Sequence, residues 1–294
     1  MKIKTSLGDR LFMGVVYLIV FACAFMCLYP LYLVLINSFS DPNAVANGET
    51  FIWIKDFTIE GYKLAFEDDS ILRGYANSLY YLVAGTLLNL LLTIPAAYAF
   101  SKKRLMGRSL FMTAMVITMY FSGGTVPTYL VIKDLGLLDT TAVVLLSGGI
   151  TTTNLIIART FFQTGVPQEL EEAAQIDGAS TIQVFLKIIL PLSKAMIGVI
   201  TLYYAVARWN AYTSSLYYQP MNSDMWPLQM VLRRILLLTK QLANMDPEMA
   251  EYYAQLANQM KYAVVVIASA PLLIIYPFIQ KYFDKGVMMG SVKG

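Results

Sequence analysis

Residues 169–178, ELEEAAQIDG, gather Glu169, Glu171, Glu172 and Asp177 in a chain that is otherwise mostly apolar. Carboxylates this close can hold a metal, run acid–base chemistry or meet a partner's surface. The first two lack company here: zinc sites and proton relays lean on His, and the sequence has none. Cys23 and Cys27 both lie inside the first apolar run, where thiols act as small hydrophobes, so they are assigned neither a disulfide nor a metal. The chain contains no G-x-x-x-x-G-K-[ST] run that could cradle ATP phosphates. On spacing alone the acidic run reads as an amphipathic helix lying on its own protein or on the headgroups.

A second set of polar groups interrupts apolar stretches. It comprises Tyr120, Ser122, Gly123, Gly124, Thr125 and Thr128 in MYFSGGTVPTY, Thr153 and Asn154 in TTTN, and Tyr203, Tyr204, Arg208, Trp209 and Asn210 in LYYAVARWNAY. Hydroxyls and amides beside aromatic rings suit sugars, whose hydroxyls want donors and acceptors while their C–H faces stack on rings. No buried acid or base is expected to serve a charged solute or a proton relay. The same residue types also let membrane helices pack closely, and Tyr and Trp populate interfacial belts. Arg208 and Trp209 are expected near the outer headgroups, where an anchoring role fits them.

The elements that must position these residues follow from composition. The 294 residues are 57% hydrophobic and only 14% charged, well below the soluble average of about 25%, so the expected solvent is a bilayer. The net charge of +3 comes from Lys and Arg clustered in short segments, which argues against nucleic acid. Spanning needs about 20 mostly apolar residues. Six segments qualify, at about 11–37, 74–100, 109–132, 140–163, 188–208 and 262–283. The first is too long for a signal-peptide core and reads as a retained anchor. Lys2, Lys4 and Arg10, then Lys102, Lys103, Arg104 and Arg108, then Lys281, Lys285 and Lys293 share one face if the six alternate, which puts both termini in the cytosol. The expected fold is all-α, one transmembrane domain over 1–294. Its cytoplasmic loop covers 164–187, and its extracellular segments cover 41–73 and 209–259.

Within the cytoplasmic loop, Pro167 fits the first position of a helix of about eleven residues, and Gly178 fits its left-handed end. Leu170, Ala173, Ala174 and Asp177 are spaced to share a face. Ser180 and Gln183 match a capping box, and Pro191 should kink the helix that follows. Outside, DFTIEGYKLAFEDD at 56–69 reads as a short amphipathic helix, and Pro227 to about Leu242 and Pro247 to about Asn258 as two more.

Read as E-A-A, three residues, G, nine residues, then I-x-L-P, the loop supplies Glu172, Ala173, Ala174, Gly178, Ile188, Leu190 and Pro191. This resembles the EAA loop of membrane subunits of bacterial binding-protein-dependent ABC importers. The ARWNAY run and the ending YPFIQKYFDKGVMMGSVKG resemble carbohydrate-type permeases of the MalG and LplC kind. The resemblance implies the ABC type I importer permease fold, multi-pass in a bacterial cytoplasmic membrane. It implies a second permease subunit in a heterodimer, two cytoplasmic ATPase subunits docked on the EAA loop, and an extracellular solute-binding protein. The cargo implied is oligosaccharide or polysaccharide. The chain itself would be no enzyme and hold no cofactor, with ATP and Mg bound by the ATPase partners. Tyr120, Ser122, Thr125, Asn154, Tyr203, Tyr204, Trp209 and Asn210 are the candidates for the solute path. Rival readings are an importer of another small solute, an ion-coupled secondary carrier, and a membrane scaffold or enzyme. The carrier would call for intramembrane acids or broken helices in paired repeats, and neither is evident in the sequence.

Overall fold

A computed structural model describes residues 7–242 and 260–274, and every regular element among the described residues is helical. The chain divides into two compact units, with boundaries after Asp69, Val231 and Ser269.

In the first unit, α1 (Leu7–Asn37) is long and apolar enough to cross a membrane, and its apolar side chains are largely exposed. Segment 38–58 is stitched back onto the end of α1. Ser40 Oγ donates to Ile36 O at 2.8 Å and accepts from Lys55 N at 3.2 Å. Asp41 caps α2 (Pro42–Ala46), its carboxylate accepting from Asn43 N at 2.9 Å. In α3 (Glu60–Glu67), the expected amphipathic helix, Tyr62 donates to Ser38 Oγ at 2.8 Å and stacks on Phe39 at 5.0 Å between centroids. Burial pushes the Tyr62 phenol above its ordinary pKa.

The second unit is built on α4 (Asp69–Ser101), among the described residues the other single helix long and apolar enough to span. The third expected span is two helices, α5 (Arg108–Tyr120) and α6 (Thr125–Asp134). So is the fourth, α7 (Thr141–Leu146) and α8 (Thr152–Thr164). Each break contains Ser-Gly-Gly, at 122–124 and 147–149. Gly148 at φ +72° follows the C-cap of α7, and Gly124, the N-cap of α6, takes φ +89° with ψ 171°; both are positive-φ conformations that other residues adopt only under strain. These two spans are therefore not the continuous helices that hydropathy suggests.

Next come α9 (Gln168–Ile176), α10 (Thr181–Val184), a π turn (Phe185–Ile189), α11 (Leu190–Leu192) and α12 (Lys194–Trp209). The run from 181 to 209 passes as one span only if its 81° bend is allowed. The chain then forms α13 (Thr213–Tyr218), α14 (Leu228–Leu242) and α15 (Met260–Ile274). The expected helix Pro247–Asn258 and the last part of the sixth span lie outside the described residues.

Segment 224–228 is held on the first half of α4. Asn77 Nδ2 donates to Asp224 O at 2.7 Å and to Trp226 O at 3.0 Å, Tyr81 donates to Met225 O at 2.9 Å, and Leu228 N donates to Ser78 Oγ at 2.8 Å. Gly74 permits that approach, since a Cβ there would lie 3.2 Å from Leu228 Cα. The largest apolar cluster of this unit runs from Ala174 and Val184 through Tyr98, Phe162 and Leu155 to Ile200 and Tyr204. It joins α9 and α10 to α4, α8 and α12.

Candidate functional site

The acidic run is α9, nine residues long. Pro167 sits at its N-cap, in extended backbone at ψ 131°, rather than at the first helical position. Glu169 and Glu171 fall in the first turn, where acids complement the helix dipole. The helix closes as a Schellman motif: Ala179 N donates to Ala174 O at 2.9 Å, Gly178 N donates to Gln175 O at 3.1 Å, and Gly178 has φ +82°. A Cβ on Gly178 would meet nothing within 4 Å, so the demand for glycine there is one of backbone conformation alone.

The faces of α9 differ from the expected grouping. Ala174 is buried in the apolar cluster, while Glu172, Ala173 and Asp177 are exposed and Ile176 is 86% exposed. The buried acid is Glu171, not its neighbour in the EAA pattern. Its carboxylate is paired with Lys102, just past the end of α4, and Lys102 Nζ lies 4.3 Å from the centroid of the Tyr98 ring. An inward alanine and an ion pair under aromatic cover fix α9 to α4, and leave Glu172, Ala173 and Ile176 exposed.

The arm after α9 opens with the expected capping box. Gln183 N donates to Ser180 Oγ at 3.3 Å, and Ser180 N donates to Gln183 Oε1 at 2.9 Å. Pro191 has no N–H to offer the turn before it, and the ladder there widens to π geometry, with Leu190 N donating to Phe185 O. The sharp bend comes two residues beyond the expected kink, at Ser193. This fully buried residue takes φ −99° and ψ 10°, its N–H is shared between Ile189 O and Leu190 O at 3.1 Å each, and its Oγ donates to Ile189 O at 2.7 Å. Ile188 and Leu190 are half-buried against the apolar cluster, and Pro191 is exposed.

Deeper in the same unit, Arg208 is buried. Its Nε donates to Asn89 Oδ1 at 2.9 Å, Nη1 to Val144 O at 2.6 Å and Nη2 to Leu145 O at 2.8 Å. Asn89 Nδ2 donates to Gly148 O at 2.6 Å and Gly149 O at 2.8 Å. The guanidinium and the amide thus satisfy four carbonyls around the α7–α8 break, which would otherwise be orphaned in an apolar interior. Gly85 makes room, because a Cβ there would stand 2.8 Å from Arg208 Nε. Tyr204 completes the frame from the other side: its hydroxyl lies 2.7 Å from Thr93 Oγ1 and accepts from Thr151 N at 3.1 Å.

The solute-path candidates therefore separate. Tyr204, Asn154 and Trp209 are buried, with Trp209 edge-on to Tyr75 at 5.6 Å. Arg208 and Trp209 accordingly pack inside the chain rather than standing exposed as outer-headgroup anchors. Tyr120, Ser122 and Thr125 are exposed together at the α5–α6 break. Tyr203 and Asn210 are exposed on α12 and its C-cap. The structure does not bring these two exposed sets together with the buried one. Asn89, Gly85 and the pairing of Glu171 with Lys102 were missed in the sequence; the signal for Asn89 was an amide in the middle of a charge-free span, where a polar group must find a partner.

Residues 70–289 match the family of binding-protein-dependent transport system inner membrane components. Protein LplC of Bacillus subtilis is 43% identical over 265 residues, covering 90% of this chain and 89% of that protein. The polygalacturonan/rhamnogalacturonan transport system permease protein YtcP of the same organism is 38% identical, covering 97% of this chain and 99% of that one. Among solved structures, a chain of a bacterial ABC transporter involved in the import of the acidic polysaccharide alginate superposes with a TM-score of 0.86 at 32% identity, covering 96% of this chain and all of that one.

Proposed function

This chain belongs to the family of binding-protein-dependent transport system inner membrane components, and from that premise we propose that it is one of two permease subunits of an ATP-driven importer. Its cargo is an oligosaccharide or polysaccharide delivered by an extracellular solute-binding protein. The names of the relatives support the cargo class, since YtcP is described for polygalacturonan and rhamnogalacturonan and the solved relative for alginate.

The observation that carries the reading is the two-sided build of α9, whose inner face is joined to the apolar cluster and to Lys102 while Glu172, Ala173 and Ile176 stand outward. A helix of this kind transmits displacement only if its inner contacts are firm and its outer face is exposed to the partner. ATP-driven closure of two partner ATPase subunits, which bind the nucleotide and Mg, moves α9, and α9 moves the helices it is joined to. This chain hydrolyses nothing.

In the membrane arrangement that goes with this function, a single domain over 1–294 crosses a bacterial cytoplasmic membrane six times. Both termini and the 164–187 loop are cytoplasmic, and 41–73 and 209–259 are extracellular. The two spans broken at Ser-Gly-Gly each count as one crossing. The exposed Tyr120, Ser122, Thr125, Tyr203 and Asn210 are the groups that remain for solute contact.

The test is ATP hydrolysis by the reconstituted importer, this chain with its partner permease, ATPase and binding protein, with and without cargo. Loaded binding protein should raise hydrolysis, and Gly178→Val, whose β-branched side chain is not tolerated at φ +82°, should abolish the rise in a complex that still assembles. A chain that neither binds an ATPase nor alters its rate would sink the proposal.

A further inference from the structure

The chain has a groove of about 1000 Å³ along α5, and its lining is polarised. At one end stand Lys103, Arg108 and Arg159, and along the rest lie Thr113, Val116, Ile117 and Phe121. No acid lines it among the described residues. The ion pairs of the described residues, Lys55–Glu49, Arg73–Asp224 and Lys102–Glu171, use none of the three cations. Arg159 is fixed by a bond from Nε to Phe100 O at 3.1 Å. Three cations beside one apolar trough, without a carboxylate, favour a ligand with an anionic head and a hydrocarbon tail.

Dimensions agree. From Arg108 to Phe121 the lining climbs about 20 Å of helix at 1.5 Å per residue, against about 15 Å for the hydrocarbon of one leaflet. A neutral lipid would leave the cations unanswered, and a soluble anion would leave the trough wet. In the orientation proposed above, the cationic end lies with the SKKRLMGR loop at the cytoplasmic leaflet, where anionic headgroups meet basic residues.

We propose that this groove binds one anionic phospholipid, its phosphate held by Lys103, Arg108 and Arg159 and an acyl chain laid along Val116, Ile117 and Phe121. The lipid is a resident of the assembled permease and not its cargo.

The test is native mass spectrometry of the purified complex containing this chain, titrated with phosphatidylglycerol or with phosphatidylcholine of the same acyl chains. Retention of phosphatidylglycerol should fall about fivefold for each of Lys103→Gln and Arg108→Gln. Arg104→Gln should change it little, because Arg104 shares the loop without lining the groove. Thr113→Trp should lower retention of phosphatidylglycerol by filling the trough with all charges intact. Equal retention of the two lipids would overturn the proposal. So would an equal loss with Arg104→Gln, which would signify general surface charge, or a partner permease chain cross-linked to Thr113 with no lipid retained. None of these readouts involves ATP or cargo, so failure here leaves the transport reading untouched.

Discussion

Arg208 Nε donates to Asn89 Oδ1 across 2.9 Å in the interior of the chain, and both side chains spend their other donors on the carbonyls of the α7–α8 break. Removing either strands acceptors that have no water to turn to. Arg208→Met and Asn89→Leu should each cost about 2–4 kcal/mol, read as a lowered Tm of the purified complex. Arg208→Lys keeps the charge without the planar fork and should recover only part. An unchanged Tm in both would show that these bonds do not hold the break.

Tyr204→Phe separates packing from solute contact. The hydroxyl bridges Thr93 on α4 and Thr151 before α8, so its loss should cost about 1–2 kcal/mol of stability and leave the KM for cargo unmoved. A raised KM at unchanged Tm would return Tyr204 to the solute path.

Gly178 tests conformation against space. Since its surroundings are empty, Gly178→Ala should fail through its φ of +82°, costing about 1 kcal/mol. Gly178→Asn, which tolerates the left-handed region, should keep more of the cargo-stimulated ATPase rate than Ala does. Equal loss in both variants would point to the exposed surface at this position rather than the backbone.

Lys102→Met leaves the Glu171 carboxylate buried without its partner. It should cost about 3 kcal/mol and expose the loop to limited proteolysis, whereas Lys102→Met with Glu171→Gln should regain most of that resistance. A double variant as labile as the single one would show that the cation's seat on Tyr98 matters more than the pair.

What the sequence discloses here is mainly what is local. The left-handed Gly178, the Ser180–Gln183 box and the amphipathic helices beginning at Glu60 and Leu228 depend on residues within one or two turns, and they stand where spacing puts them. The broken spans were hidden because hydropathy summed over a window passes smoothly across glycine, although Ser-Gly-Gly occurs at both breaks. The choice of Glu171 over Glu172 as the inward acid is made by Lys102, 69 residues earlier. Arg208 resembles an interfacial anchor until Asn89, 119 residues away, supplies its partner.

The 81° bend at Ser193 makes 181–209 a crank. Its short limb, 181–192, measures about 18 Å, so pushing the far end by about 3 Å turns the elbow through about 10°. Ser193, holding Ile189 by both its N–H and its hydroxyl, keeps the angle stiff. On the coupling role proposed for α9, a displacement there would reach α12 as rotation, with Arg208 and Tyr204 as the teeth that engage α4 and the edges of the α7–α8 break.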